Sequence, residues 1–165
     1  MVERYKEEGA GKLLLLGDIL YHGPRNDLPK DYAPKKVIEI LNGMKEELLC
    51  IRGNCDCEVD QMVLKFPILA DYAAFWLGDL MVWATHGHVY NMNNLPPFKK
   101  GDVLLHGHTH IPAAQSFGDG YYYINPGSLS IPKEGSKNSY MILEGRTFTL
   151  KSVEDGSVIS SFTVE

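Results

Sequence analysis

Leu13-Leu-Leu-Leu-Gly-Asp18 runs from four consecutive leucines straight into a glycine and a carboxylate. The same grammar recurs along the chain. Leu48-Leu-Cys-Ile51 ends at Arg52-Gly-Asn-Cys55, Leu80-Met-Val-Trp-Ala84 ends at Thr85-His-Gly-His88, and Val103-Leu-Leu105 ends at His106-Gly-His-Thr-His110. Short unbroken apolar runs closed by polar glycine clusters read as strands buried on both faces, as in a sheet covered by other layers. Pro34 opens a segment whose Val37, Ile38, Leu41 and Met44 share one helical face, so the first two runs predict a strand, a crossover helix and a parallel strand. In such sheets ligand-binding groups gather beyond the carboxyl ends of the strands, so the four polar clusters converge on one crevice.

Beyond residue 70 the pattern changes. Ala70–Leu77 and Leu80–Ala84 flank Gly78-Asp79, Ile111–Phe117 and Tyr121–Ile124 flank Gly118-Asp-Gly120, and later segments turn at Gly145 and Asp155-Gly156. These are hairpin signatures and predict antiparallel pairing. The stretch Tyr90–Gly101, with Pro96-Pro97, is the one long interruption and reads either as a lid or as a plain connection. No repeat, linker or low-complexity stretch divides the chain, and 165 residues suit one domain, residues 1–165.

Composition narrows the function classes. Apolar residues are 44% and charged residues 22%, which suits a folded globular protein rather than a disordered tail. A net charge of −5 with no long Lys/Arg run argues against nucleic acid as a partner. Three cysteines, Cys50, Cys55 and Cys57, are too few and too irregular for a disulfide framework and fit reduced thiols in the cytoplasm. The charged opening Met1-Val-Glu-Arg-Tyr-Lys-Glu-Glu8 is unlike a signal peptide, and no apolar stretch approaches the ~18 residues of a membrane span. The expectation is therefore a protein neither secreted nor embedded in a membrane.

Five of the six histidines fall in two clusters, His86/His88 and His106/His108/His110, each at a strand end. Imidazoles with a carboxylate and an amide oxygen suit borderline divalent ions such as Mn²⁺, Zn²⁺, Fe²⁺ or Ni²⁺ better than Mg²⁺ or Ca²⁺. Asp18 alone reads as a turn residue or a helix cap, but beside these clusters it reads as a ligand. Asn54, following Gly53, reads either as a ligand or as support for a left-handed turn. Arg25, in the loop His22-Gly-Pro-Arg-Asn26, is either a surface arginine or a bidentate grip on a phosphate. Cys50 and Cys57 read as packed, inert thiols.

Taken in order, Gly17-Asp18, Gly53-Asn-Cys-Asp56, Thr85-His-Gly-His88 and Gly107-His-Thr-His110 resemble the calcineurin-like metallophosphoesterase superfamily. Gly17–Asn26, Arg52–Asp56, Val59–Met62 and Asn125–Lys133 narrow the resemblance to the YfcE-type bacterial phosphodiesterases. The resemblance implies an α/β fold, an αββα sandwich of two mixed sheets flanked by helices around a dimetal centre. It implies that Asp18 bridges two ions, that Asn54, His86 and His108 complete one, and that His110 contributes to the other. It places Cys55 where many relatives carry a leaving-group histidine, with Asp56 orienting it and Arg25 near the phosphate; His88 is expected to support the ligands by hydrogen bonds.

Relatives also begin with a central strand ending in Asp-x-His, whereas Met1–Gly11 reads as the tail of the helix that follows such a strand. Either the gene starts upstream of Met1 or the first strand is lost; the expectation for this sequence is a sandwich without that strand, with unpaired sheet edges that favour self-association and two ligands of one ion missing. Hydrolysis of a small phosphodiester or phosphomonoester by metal-activated water is then expected to be slow and manganese-dependent, with one firm ion site and one weak or absent. The competing reading is a non-catalytic interaction protein, as in the retromer scaffold subunit of eukaryotes, which resembles the same fold.

Overall fold

Residues 1–165 are described by a computed structural model, in which Met1–Gly11 begins with helix α1 (Val2–Glu8). Gly9 ends that helix in the left-handed region, φ 63°, and returns its N–H to the Lys6 carbonyl. The first leucine run becomes strand β1 (Leu13–Leu15), the Pro34 segment becomes helix α2 (Pro34–Gly43), and a 3₁₀ turn leads into β2 (Leu48–Cys50). β1 and β2 pair in parallel with Leu14 opposite Leu49, which is the expected strand, crossover and strand. Helix α3 (Glu58–Val63) follows, its first turn closed by Cys57 and Asp60 in a capping box.

The remaining strands are β3 (Tyr72–Leu77), β4 (Leu80–Thr85), β5 (Val103–His106), β6 (Ala113–Phe117), β7 (Tyr121–Asn125), β8 (Ser139–Glu144), β9 (Thr147–Ser152) and β10 (Val158–Thr163). A five-stranded sheet has the order β3-β4-β5-β7-β6, parallel in the middle with an antiparallel strand at each edge. β8, β9 and β10 form an antiparallel meander. Each hairpin turns where glycine allows it, and the boundaries lie within two residues of the sequence reading.

One apolar cluster joins the layers: Leu80, Val82 and Ala84 of β4, Val103 and Leu105 of β5 and Ile124 of β7 meet Ile51 and Phe148 across the sandwich, with Leu14, Leu16, Met141 and Leu143 packed against them. A second cluster, around Tyr5, Leu41, Leu48, Leu64, Phe66 and Ile68, fastens the helices to the other face of β1 and β2. The opposite surface of the sandwich, outside the five-stranded sheet, is overlain by the segment between β4 and β5, whose Phe98 packs on Phe117 and Tyr121. Tyr90–Gly101 thus serves as a connection across the sheet.

The leucines of β1 are each only partly buried, against the expectation of a strand covered on both faces, whereas β5 is buried throughout. The difference follows from pairing, because β5 has a strand on either side and β1 has one on one side only. β8 is likewise bonded to β9 alone. α1 spans both pieces, with Tyr5 in the cluster beneath β1, and with Glu8 bonded to the Tyr140 hydroxyl of β8 at 2.6 Å and to the Lys151 ammonium of β9. The two pieces are therefore parts of one layer, sharing a helix on one face and the central cluster on the other.

Candidate metal centre

Two glycines without room for a side chain bring the first two strand ends together. A Cβ on Gly17, whose φ is +89°, would lie 2.3 Å from the Gly53 nitrogen, and one on Gly53 would lie 2.2 Å from Asp18 Oδ1. This contact seats Asp18 beside Asn54. Asp18 itself is left-handed, φ 56°, a conformation that a non-glycine residue adopts only when its surroundings impose it. The imposing group is Asp56, whose buried carboxylate accepts the backbone N–H of Asp18 at 2.8 Å, Ile19 at 2.9 Å and Gly53 at 2.7 Å. Those bonds occupy Asp56, which makes none to the Cys55 thiol; it shapes the Asp18 loop instead.

His86 and His108 arrive from the ends of β4 and β5, which are parallel neighbours. His86 Nδ1 donates to the Leu16 carbonyl at 2.6 Å, leaving Nε2 to face the site. Around that nitrogen stand His108 Nδ1 at 3.0 Å, Asn54 Oδ1 at 3.1 Å and Asp18 Oδ2 at 3.3 Å. The ligand atoms of Asp18, His86 and His108 all lie within 4.8 Å of one another. Donors about 2.1 Å from a common ion stand about 3.0 Å apart in an octahedron and about 3.4 Å apart in a tetrahedron. Four lone-pair donors at these spacings fit a divalent cation.

Electrostatics favour the ligating form at Asp18 and His108 and oppose it at His86. Burial pushes the Asp18 carboxyl up, but its hydrogen bond to His86, the charge of that ring, the Cys55 N–H and the nearby His108 outweigh it and hold the carboxyl below its usual range. Burial likewise lowers His86, and the bond to Asp18, its charge and the Leu16 carbonyl reverse the balance, so His86 is raised. His108 is pushed down to about 4, chiefly by burial and then by the charge of His86, with Asp18 opposing. A neutral imidazole and an ionised carboxylate are the forms that ligate metals.

The other sequence candidates share the cleft in different ways. His110 lines it but stands outside the tight group; it is also left-handed, φ 63°, and its Nδ1 bonds the Ile131 carbonyl at 3.1 Å. Cys55 donates its backbone N–H to Asp18 Oδ1 at 2.9 Å, and its sulfur accepts the Asn54 amide at 3.3 Å, which turns the Asn54 oxygen toward His86. Burial, then the charges of Asp18 and Asp56, push that thiol up to about 11. Asn54 is not left-handed, so the turn reading falls away; the left-handed residues here are Asp18, His108 and His110. His88 is exposed, with its ring 5.3 Å from that of His86 and no hydrogen bond to it.

The cleft, about 430 Å³, also takes in Arg25, Lys133 and His22. Lys133 and His22 were missed by the sequence reading. Lys133 closes the stretch Asn125–Lys133, where only the pattern was noted; His22 shares a loop with Arg25 and packs between the rings of Tyr21 and Tyr32. A hollow of similar size beside Pro112, Leu150 and Val158 has Lys137 as its only charged side chain and gathers no comparable donors.

The chain as a whole is similar to known proteins. Residues 1–147 match the calcineurin-like phosphoesterase superfamily domain. The chain is 43% identical over 164 residues to phosphodiesterase YfcE of Escherichia coli K12, covering 99% of this chain and 89% of that protein. It superposes on the solved structure of that E. coli phosphoesterase with a TM-score of 0.95, covering 99% of this chain and 90% of the other. Vps29 of Chaetomium thermophilum, 17% identical with a TM-score of 0.55 over 94% of this chain and 83% of its own, shares the fold alone.

Proposed function

The chain belongs to the calcineurin-like phosphoesterase superfamily, and from that premise we propose that it hydrolyses phosphodiester bonds, and phosphomonoesters as a second class, with a divalent cation held by Asp18, Asn54, His86 and His108. The observation that carries this reading is the set of three donors spaced 3.0–3.3 Å about a fourth, His86 Nε2. A cation bound there lowers the pKa of water and draws charge from the phosphoryl oxygens. Arg25 and Lys133, both exposed in the cleft, supply positive charge for the phosphate of a small substrate. Cys55, a thiol held protonated, orients Asn54 and is a weak proton donor to a leaving group.

Manganese is the ion favoured, because the donors are oxygen and imidazole nitrogen and the one nearby thiol stays protonated. His110 stands outside the tight group of Asp18, His86 and His108, which supports a second ion site that is weak and a turnover that is slow. The separate thiols fit a cytoplasmic setting, and no helix is long and apolar enough to cross a membrane. Exposed Tyr72 and Trp76 on the edge strand β3 support self-association.

The test is metal content per chain together with hydrolysis of bis-p-nitrophenyl phosphate after chelation and after adding Mn²⁺. Activity restored by manganese is expected. Brisk turnover in stripped protein would overturn the reading, and metal without turnover would favour a non-catalytic interaction protein on the same fold.

A further inference from the structure

Asn125 ends β7 and has none of its surface exposed. Its amide nitrogen lies 3.0 Å from each of three acceptors, the Gly107 carbonyl, Thr109 Oγ1 and the Tyr123 hydroxyl. Gly107 and Thr109 are the residues on either side of His108, and the Thr109 N–H itself donates to the Gly107 carbonyl at 2.7 Å. One carboxamide thus grips both ends of the turn that holds His108 at φ 64°.

The other end of the same group reaches a second loop. Asn125 Oδ1 accepts the N–H of Gly127 at 2.9 Å, at the start of the segment that runs to Lys133. That segment is pinned further by Ser139, whose hydroxyl donates to the Pro126 carbonyl at 2.7 Å. It returns to the site through Ile131, whose carbonyl bonds His110 Nδ1, and through Lys133, whose N–H donates to the His110 carbonyl at 3.1 Å. His108 is braced directly and His110 through this loop, and Asn125 touches neither imidazole.

We propose that Asn125 is a positioning residue for the cation site, holding His108 and His110 in their left-handed conformations so that His108 meets Asp18 and His86. The proposal rests on the reading of the site as a metal centre. The chemistry selects asparagine. Its amide nitrogen supplies two hydrogens toward the Gly107 and Thr109 acceptors while its oxygen accepts from Gly127, and an aspartate of the same size offers no donor to the Gly107 carbonyl. A buried group left without its partner disrupts the loop that needed it. Left-handed histidines relax to ordinary backbone conformations when such restraint is lost.

Asn125→Ala and Asn125→Asp are compared with the parent protein in two measurements: the Mn²⁺ dissociation constant of chelator-stripped protein by calorimetry, and amide hydrogen exchange at Gly107–His110 in the metal-free state. Manganese binding is expected to weaken about 10–100-fold, the range seen when groups that orient ligands are removed, and exchange at Thr109 to accelerate at least about tenfold, the sign of a locally opened turn. A folded Asn125→Ala protein with parental affinity and parental exchange would overturn the proposal. Should the parent bind no manganese, the metal reading falls and the exchange data still decide the role of Asn125. Thr109→Val removes one grip at an exposed residue without touching the core; it too is expected to weaken binding and speed exchange, and parental behaviour there would count against the proposal if the Asn125 variants fail to fold.

Discussion

Replacing Asp56 by asparagine keeps its volume and removes its charge, and the consequences can be worked from its three hydrogen bonds. With the new amide oxygen at the Oδ2 position, the bonds from the Asp18 and Gly53 N–H groups survive as neutral ones, each about 1 kcal/mol weaker than to a carboxylate. The new NH₂ then faces the Ile19 N–H, where Oδ1 now accepts at 2.9 Å. A buried donor left without an acceptor costs about 1–3 kcal/mol. The side chain is 2% exposed, so water does not relieve the loss. Asp56→Asn should therefore lower stability by about 3–5 kcal/mol, a large part of the 5–15 kcal/mol typical of a domain. Urea unfolding, read as a shift in midpoint at constant slope, measures it. Because these bonds hold Asp18 at φ 56°, Mn²⁺ affinity should fall as well. A variant within about 1 kcal/mol of the parent, with unchanged manganese affinity, would refute the claim that this carboxylate organises the loop.

Gly53→Ala should abolish manganese-dependent hydrolysis, since the added Cβ would stand 2.2 Å from Asp18 Oδ1; metal content and activity equal to the parent would show that the loop yields. Cys55→Ser should stay within about threefold of parental activity while Cys55→Ala weakens manganese binding, because the group's main task is to hold the Asn54 amide and its proton donation is weak; a strong general acid contributes about 10²–10⁴-fold, so a loss of that size in Cys55→Ser would make proton donation the main role. The bond from Lys151, then that from Tyr140, holds Glu8 below the usual carboxylate range despite burial. Its stabilising contribution is therefore present above the unfolded value and lost as pH falls through the depressed folded one. Parent protein should lose more melting temperature than Glu8→Gln between neutral pH and pH 3, and parallel losses would contradict the linkage.

Strand ends were legible because an apolar run and its termination are written locally. Leu13–Asp18 and Val103–His110 announce both a buried strand and the chemistry at its tip. Burial was less legible, since it depends on neighbours that periodicity does not name: the leucines of β1 are as apolar as the residues of β5, yet β1 has one partner and β5 has two. Asp18, His86 and His108 were marked by residue type and strand-end position, whereas Asn54 read equally as a turn residue until the family resemblance made it a ligand. Lys133 and Asn125 were not marked, because a lysine in a loop or an asparagine closing a strand carries no signal until the chain places it. Asp56 was noticed for its place beside Cys55, but its bonds run to the backbone of another strand end, a relation between residues 37 and 38 positions apart that spacing cannot reveal.

These hidden residues explain how the site can exist. Asp18 Oδ2, Asn54 Oδ1, His86 Nε2 and His108 Nδ1 are acceptors crowded together, and without a cation their lone pairs repel. Folding must hold them against that repulsion. Part of the relief is visible at His86, whose affinity for a proton burial lowers but the hydrogen bond and charge of Asp18 raise on balance. The rest comes from behind the site, where Asp56 and Asn125 are buried and fully bonded and tie down the left-handed backbone on which Asp18 and His108 are carried. Polar groups that would destabilise a core if unpaired act here as rigid anchors because every bond is made. Strain at the front is tolerated because the support behind it is complete, and the support lies at the end of β7 and soon after Ile51, both of which the central cluster already holds.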